Sequence, residues 1–153
     1  MPRPLAILQV GAFPFPLHQG SQVHVRAMCS ALAKRGHRVV LACWAHGVGP
    51  DPEGVEVVRA RAIPGGRVER SGPHWSRPVQ DLALARAVRR VLRGGGIDVV
   101  HAHNVEAPVV AWLAGARRVP LVYEQHTAME QELPTYFGGR ASRGAARALG
   151  WTC

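Results

Sequence analysis

The residues best suited to chemistry in this sequence are histidines that follow apolar runs. "HAHN", from His101 to Asn104, ends one such run, and His126 with Thr127 ends another. Residues two apart on a strand project to the same side, so His101 and His103 should share a face. We expect His103 and Asn104 to line a crevice, and His101 to lie deeper and be structural. Imidazole can donate a proton, accept one or bind a metal, so its surroundings decide its role.

A metal site is not expected from this spacing. Zinc takes three or four protein ligands, and no third ligand is evident beside His101 and His103. The three cysteines, Cys29, Cys43 and Cys153, have no metal-ligand spacing, and their odd number gives no disulfide framework. We therefore predict no metal and no bound cofactor, and thiols kept reduced in the cytosol.

The segment "GAFPFPLHQGS", Gly11 to Ser21, joins an apolar run to a helical pattern. It is longer than the roughly 2–6 residues typical of such a connection, which is often a sign of binding. Ser21 is predicted as the N-cap of the helix. Gly20, without a side chain, would let a ligand approach the free N–H groups of the first turn, where the helix dipole favours an anion. No G-x-G-x-x-G or P-loop pattern is present, which argues against an NAD-linked oxidoreductase.

Short apolar runs alternate with helical patterns along the chain, which is typical of a parallel sheet with crossover helices. Five strands are predicted, at Leu5 to Val10, Arg38 to Trp44, Val55 to Ala60, Ile97 to His103 and Pro120 to His126. Three helices are predicted, at Ser21 to Arg35, Pro78 to Arg93 and Glu106 to Ala116. Ligands of open parallel sheets bind beyond the carboxyl ends of the strands, near the switch in strand order, so the glycine loop and both histidine segments should meet there.

Apolar spacing also predicts which face of the first helix is buried. Val25, Met28, Ala31 and Leu32 fall at helical spacing and should pack on the sheet. Gly36 suits the left-handed position that follows a helix end.

The net charge of +9 comes from 18 arginines and a single lysine. The arginines are scattered and aromatic residues do not interleave with them, so we predict no nucleic-acid site. A solvated basic face, attracted to phosphates or anionic lipid headgroups, fits better. The apolar run "VVLACWA" is far shorter than the roughly 20 residues of a membrane span.

Taken together, these segments resemble the opening of the family 4 retaining glycosyltransferases of the GT-B fold. "RGHRV", Arg35 to Val39, is similar to the family's turn into strand two, "DVVHAHN" to its fourth strand, and "PLVYEQHTAMEQELPTYF" to its fifth strand and the loop beyond. The resemblance covers nearly the whole chain. It implies an α/β fold: an open parallel sheet with helices on both faces, the Rossmann-like N-terminal half of a GT-B fold. Residues 1–153 would form that domain, incomplete at its C-terminus and without the donor-binding domain.

The resemblance implies transfer of a sugar from a nucleotide-sugar donor to an acceptor, with retention at the anomeric carbon. His126 would be the catalytic residue on the sugar side. The substrate-binding candidates share a place at the crevice: Gly20, Ser21, His24, Arg26, His103, Asn104 and Thr127. The expected partners are the donor, a carbohydrate or lipid-linked acceptor, and a donor-binding domain in cis or trans. A lipid acceptor would bring this cytoplasmic chain to the inner face of the membrane, and the chain alone should be inactive.

Two alternatives to this hypothesis remain open from the sequence. A non-catalytic Rossmann-like module that binds a phosphorylated ligand or a partner protein would use the same crevice. A basic nucleic-acid protein would bind DNA or RNA with a strong dependence on salt.

Overall fold

The computed structural model describes residues 3–65 and 74–126 of the chain. Within them lie five strands: β1 (Ala6–Gly11), β2 (Arg38–Cys43), β3 (Val55–Arg59), β4 (Val99–His103) and β5 (Leu121–Glu124). They form one parallel sheet in the order β3-β2-β1-β4-β5. The order reverses between β1 and β4, so the switch point lies where these two strands end.

Three α-helices connect the strands: α1 (Gly20–Lys34), α2 (Arg77–Arg93) and α3 (Glu106–Ala114). A short 3-10 helix, Ala116–Arg118, follows α3, which therefore ends before the predicted Ala116. Helix α1 packs against β2 and β3, whereas α2 and α3 pack against each other on the opposite face of the sheet. The predicted open parallel sheet with helices on both faces is confirmed.

Alternation along β1 assigns its side chains to the two faces. Leu8 and Val10 belong to the buried apolar cluster that packs under α2 and α3. Gln9 lies between them and must therefore project toward the α1 face. Burying apolar side chains contributes roughly 25 cal/mol per Å² of area removed from water, and both faces of the sheet carry such a buried cluster. Gln9 is fully buried too, and it is polar.

Helix α1 differs from the prediction at its start. The N-cap is Gln19, and its carbonyl accepts the first helical bond from the N–H of Val23 at 2.9 Å. Ser21 is already inside the helix, and its Oγ donates to Oε1 of Gln22 at 2.9 Å. The prediction that Ser21 caps the helix was therefore wrong, because the backbone turns helical one residue earlier, at Gly20.

The buried stripe of α1 also differs from the predicted one, and Met28 of that stripe is only half-buried. Val25 and Cys29 are fully buried and Leu32 packs against them, while Ala31 is exposed. The stripe follows the steps of four and three that a helix face requires, so Cys29 belongs to it and Ala31 does not. Gly36 has a φ of 85°, as predicted for the position after the helix end.

A polar contact group fixes α2 and α3 near the end of β2. Nε1 of Trp44 donates to the carboxylate of Asp81 at 3.0 Å, and Nη1 of Arg77 donates to Oε1 of Glu106 at 3.0 Å. The Arg77 guanidinium also lies 5.6 Å from the centre of the Trp44 ring. Burial raises the pKa of Asp81 to about 6, against the bond from Trp44, which lowers it. The group thus ties both helices to the sheet edge that carries the site.

Candidate functional site

Six polar side chains meet on the α1 face of the sheet, close to its carboxyl edge. We call them the histidine cluster: Gln9, His24, His101, His103, Glu124 and His126. Strand register explains most of the convergence, because Gln9 pairs with His101 across β1 and β4, and His103 pairs with Glu124 across β4 and β5. Residues paired in this way project to the same side of a sheet. The switch point therefore gathers side chains that are far apart in sequence.

His103 lies at the centre of the cluster and is completely buried. Its Nε2 is 2.6 Å from Oε1 of Gln9, and its Nδ1 is 3.2 Å from Nε2 of His126. Burial, followed by the neighbouring histidines, lowers its pKa to about 3, so the ring is neutral at pH 7 and carries one N–H. The amide oxygen of Gln9 can only accept, so Nε2 of His103 donates to it. Nδ1 of His103 then accepts from Nε2–H of His126, which leaves Nδ1 of His126 as an acceptor.

Glu124 contacts three of the histidines through its two carboxylate oxygens. Oε1 accepts a hydrogen bond from Nε2 of His24 at 2.9 Å. Oε2 lies 3.2 Å from Nε2 of His101 and 3.3 Å from Nδ1 of His103. Oε2 is buried, yet it accepts no hydrogen bond from the residues that the structure describes. Oε2 of Glu124 thus lies close to one ring nitrogen of each of the two "HAHN" histidines.

Burial also lowers the pKa of His101 and of His126, and Glu124 opposes the shift in both. The depth of the two "HAHN" histidines is the reverse of the prediction: His103 is buried, while the side chain of His101 is 18% exposed. Hydrogen bonds at both ring nitrogens of His103 offset the free-energy cost of burying a polar ring. His101 instead faces Glu124 beside β5, whose residues 121–123 are exposed.

The start of α1 borders the cluster. His24 is half exposed, and its ring lies edge-to-face with that of His126 at 5.4 Å. Gly20 is exposed, and a Cβ placed on it would meet no atom within 4 Å among the described residues. Arg26 is directed elsewhere, because its Nη1 donates to the carbonyl of Pro50 at 2.7 Å. The structure therefore brings His24 to the site and leaves open space in front of Gly20.

Asn104 continues the crevice immediately after His103. Its φ is 67°, in the left-handed region that Asn tolerates better than most residues, and its N–H donates to the carbonyl of Glu124 at 3.3 Å. The chain thereby turns sharply from β4 toward α3 and holds β5 beside it. Thr127, the last of the predicted site residues, lies outside the described residues.

A separate cavity of about 340 Å³ lies near the ends of β1, β2 and β3. It shares no residue with the histidine cluster. Its lining is mixed in polarity and comes from the loops after β1 and β2 and the end of β3: Pro14, Leu17, Ala45, His46, Gly47, Val48 and Arg59. Nη1 of Arg59 donates to Oδ2 of Asp51 at 3.0 Å, which holds its side chain beside the cavity. The same edge of the sheet thus carries both the histidine cluster and this cavity.

Two members of the cluster, Gln9 and Glu124, were missed by the sequence analysis. Gln9 is the one polar residue within "LAILQV", and Glu124 follows the apolar residues of "PLVYEQH". A polar residue inside an apolar strand, near its carboxyl end, was the available signal. Whether such a polar residue joins the histidine cluster depends on the register of the neighbouring strands, which the residues of a single segment do not reveal.

A doubly wound parallel sheet with a polar cluster at its switch point defines a Rossmann-like domain of the kind found in GT-B glycosyltransferases. The family model Glycosyltransferase Family 4 matches residues 18–153, so the chain belongs to that family. The chain is similar to the crystal structure of CalG4, the calicheamicin glycosyltransferase, with a TM-score of 0.56 and 21% sequence identity. The match covers 98% of this chain and 43% of that structure, and at this identity it shows the fold alone.

A comparison with curated proteins gives no significant match. Among the described residues, no helix combines the length and apolar character needed to cross a bilayer.

Proposed function

We propose that this chain is the acceptor-side half of a glycosyltransferase that moves a sugar from a nucleotide-sugar donor to a carbohydrate or lipid-linked acceptor, with retention. Its membership of Glycosyltransferase Family 4 supports the reaction class. The observation that carries the proposal is the meeting of His126 with His103 and with His24 of α1 at the switch point. That is the place where an open parallel sheet binds its ligand.

His126 is the catalytic residue in this proposal, and Gln9 and His103 position it. The bond from Nε2 of His103 to Gln9, 2.6 Å long, leaves Nδ1 of His103 to accept from His126 at 3.2 Å. The ring of His126 is thereby held, and its Nδ1 can accept a hydrogen bond from a hydroxyl of the transferred sugar. Holding a group in its reactive geometry is worth orders of magnitude in rate.

The donor diphosphate would approach the start of α1. The N–H groups of Gly20, Ser21 and Gln22 have no partner within the helix, because an α-helix leaves its first N–H groups unpaired. Negative charge grows on the diphosphate as the sugar leaves, and these donors together with the helix dipole stabilise it. The open space in front of Gly20 is where an anion could reach them.

The acceptor would occupy the cavity of about 340 Å³ beside the loop after β1. His46 and Arg59 provide polar contacts in a partly apolar lining, which suits a hydroxyl group carried on a larger molecule.

A donor-binding domain, in cis or in trans, would close over this edge of the sheet. Without that domain, residues 1–153 would not turn over the nucleotide sugar. No metal is needed for the steps assigned to these residues. A lipid-linked acceptor would place the protein in the cytoplasm in peripheral contact with the inner face of the membrane.

The test is sugar transfer by the native protein that contains this chain, supplied with a panel of nucleotide sugars and of carbohydrate and lipid-linked acceptors. We expect His126→Ala to lower kcat/KM by at least about 100-fold, the scale of a positioned catalytic group. NMR of the product should show the anomeric configuration of the donor. Transfer by His126→Ala at the wild-type rate, or an inverted product, would contradict the proposal.

His37→Ala is the matched control. Nδ1 of His37 accepts a hydrogen bond from the N–H of Leu5 at 3.0 Å, at the opposite edge of the sheet. Losing that bond should cost about 1 kcal/mol of stability and leave kcat/KM unchanged. Ligand binding with no turnover under any combination of donor and acceptor would instead favour a non-catalytic module. Turnover by residues 1–153 alone would show that the donor-binding domain is dispensable.

A further inference from the structure

Three members of the histidine cluster form an inner triad: His101, His103 and Glu124. Each offers one ligand atom, and the three atoms lie within 4.8 Å of one another. Oε2 of Glu124 is 3.2 Å from Nε2 of His101 and 3.3 Å from Nδ1 of His103. The rings of His101 and His103 lie side by side, with centroids 4.4 Å apart. Two strands of a rigid parallel sheet hold these atoms in place.

The separations are those of neighbouring ligands on one metal ion. Zinc bound tetrahedrally at roughly 2.0–2.1 Å from nitrogen and oxygen ligands places those ligands roughly 3.3–3.4 Å apart. The two distances from Oε2 of Glu124 lie close to this value. The outer oxygen behaves differently: Oε1 lies 2.9 Å from Nε2 of His24, an ordinary hydrogen-bond length. His24, Glu124 and His126 also offer three ligand atoms within 4.8 Å of one another, but the hydrogen-bond length to His24 favours the inner oxygen as the metal ligand.

Two of the three inner atoms can present a lone pair to an ion. Oε2 of Glu124 is buried and accepts no hydrogen bond from any described residue. His103 donates its N–H to Gln9, so its Nδ1 carries a lone pair; in the metal-free chain this lone pair accepts from His126, and a bound ion would replace that hydrogen bond. A metal-bound histidine usually gives its second ring N–H to a nearby oxygen in this way, which fixes the tautomer and orients the ring. Gln9 thus acts as the outer partner of a ligand histidine.

We propose that the inner triad binds one divalent transition-metal ion, with zinc as the best match. Two histidines and one glutamate form a ligand set known from catalytic zinc sites, which keep a further position open. That position would lie toward Nε2 of His126, 3.2 Å from Nδ1 of His103, and would take water or an anionic oxygen. The third ligand that the sequence did not reveal is Glu124, supplied by another strand. The proposal requires only these three residues. Because Nδ1 of His103 cannot bind the ion and accept from His126 at once, the metal-bound state is an alternative to the arrangement proposed for sugar transfer.

The test is a titration of the purified chain, stripped of metal by a chelator, with Co²⁺ and then Zn²⁺. Four-coordinate Co²⁺ absorbs in the visible range, so the titration reports both binding and geometry. We expect one ion per chain, confirmed by elemental analysis, and displacement of Co²⁺ by Zn²⁺. Glu124→Gln and His101→Asn should each weaken binding at least tenfold, and circular dichroism checks that both remain folded.

Two matched variants separate this site from other histidines. His24→Ala removes the partner of the outer oxygen and should change the affinity by less than threefold. His18→Ala removes an exposed histidine of the loop after β1 and should have no effect. Failure of the wild-type chain to bind one ion would overturn the proposal, as would unchanged affinity in Glu124→Gln. A loss in His24→Ala equal to that in His101→Asn would refute the inner triad and place the ion at the outer oxygen.

Discussion

The contact between Gln9 and His103 sets the direction of hydrogen bonding through the cluster, and Gln9→Met tests it. Methionine has nearly the volume of glutamine but offers Nε2 of His103 no comparable acceptor. In the wild-type protein the proton on His103 resides on Nε2, 2.6 Å from Oε1 of Gln9. In Gln9→Met we expect it to move to Nδ1, which faces Nε2 of His126 at 3.2 Å. The polarity of the contact with His126 would then reverse.

The loss of stability expected for Gln9→Met depends on which buried groups gain or lose hydrogen-bond partners. Removing the acceptor forfeits one hydrogen bond, with a net value of about 1 kcal/mol, and an N–H left buried and unpaired would cost about 1–3 kcal/mol. Moving the proton to Nδ1 avoids the larger cost. Nε2 of Gln9 has no partner among the described residues, so deleting the amide also removes one buried unpaired donor. We therefore expect a loss of about 1 kcal/mol, roughly a fivefold change in the unfolding equilibrium.

Long-range ¹H–¹⁵N NMR of the imidazole rings measures the tautomers directly. We expect Nε2–H on His103 in the wild-type protein and in Gln9→Glu, whose carboxylate can only accept, and Nδ1–H in Gln9→Met. Transfer by the native protein should fall roughly 10- to 100-fold in Gln9→Met, the scale found for lost supporting contacts to a functional histidine. Gln9→Glu should retain more of it.

Three outcomes would contradict this reasoning. An Nδ1–H tautomer of His103 in the wild-type protein would mean that the amide of Gln9 donates, and that His126 presents a donor to the sugar. An unchanged tautomer in Gln9→Met would mean that Gln9 does not set the direction at all. A large loss of stability with normal transfer would reduce Gln9 to a packing residue.

Two further predictions concern the helix start and the α2 contact group. Gly20→Ala should leave stability unchanged or raise it by up to about 1 kcal/mol, because its Cβ meets nothing within 4 Å and alanine favours the helix. It should weaken binding of a nucleoside diphosphate in calorimetry, and unchanged affinity would remove Gly20 from the site. Asp81→Asn should stabilise the protein above pH 6. In the wild-type protein the pKa of Asp81 is about 6 in the folded state, above the ordinary 3.8. Its protonated form therefore contributes stability that is complete below pH 3.8 and lost as pH rises through 6. The upper limit of this gain in unfolding free energy is about 3 kcal/mol, and we expect about half of it because the side chain is partly exposed. Urea unfolding at pH 4 and pH 8 measures the gain, and an equal difference between the two proteins at both pH values would contradict the prediction.

The elements of the fold were predictable because their signals are local. The apolar runs that became β1 and β2 are covered on both faces, so nearly every residue in them is buried, and each strand lies within one or two residues of its predicted bounds. Helix α1 buries part of its predicted apolar stripe, and all the arginines of α2 except Arg77 are exposed: Arg86, Arg89, Arg90 and Arg93. Boundaries were less certain: Gly20 rather than Ser21 begins α1, because backbone geometry and not the side chain decides the first turn.

The candidate site was predictable only in part. His126, His103 and His24 meet at the switch point as expected. Gln9 and Glu124 were not anticipated, although they bond or face most of the other members. Their roles arise from pairings across strands, Gln9 with His101 and His103 with Glu124. Such pairings are set by long-range register, which carries no mark within the segment itself.

The sequence by itself determined the class of fold and the edge of the sheet that carries the candidate site, because periodicity and turn residues act over a few neighbouring positions. Tertiary structure alone decided which histidine is buried, which nitrogen carries its proton and which carboxylate faces it. His103 can be buried because Gln9 and His126 form hydrogen bonds with its two ring nitrogens. Gln9 lies in β1, and His126 lies just after the end of β5. A side chain's chemistry depends on its partners' atoms within about 3 Å, and only the folded chain brings those atoms together.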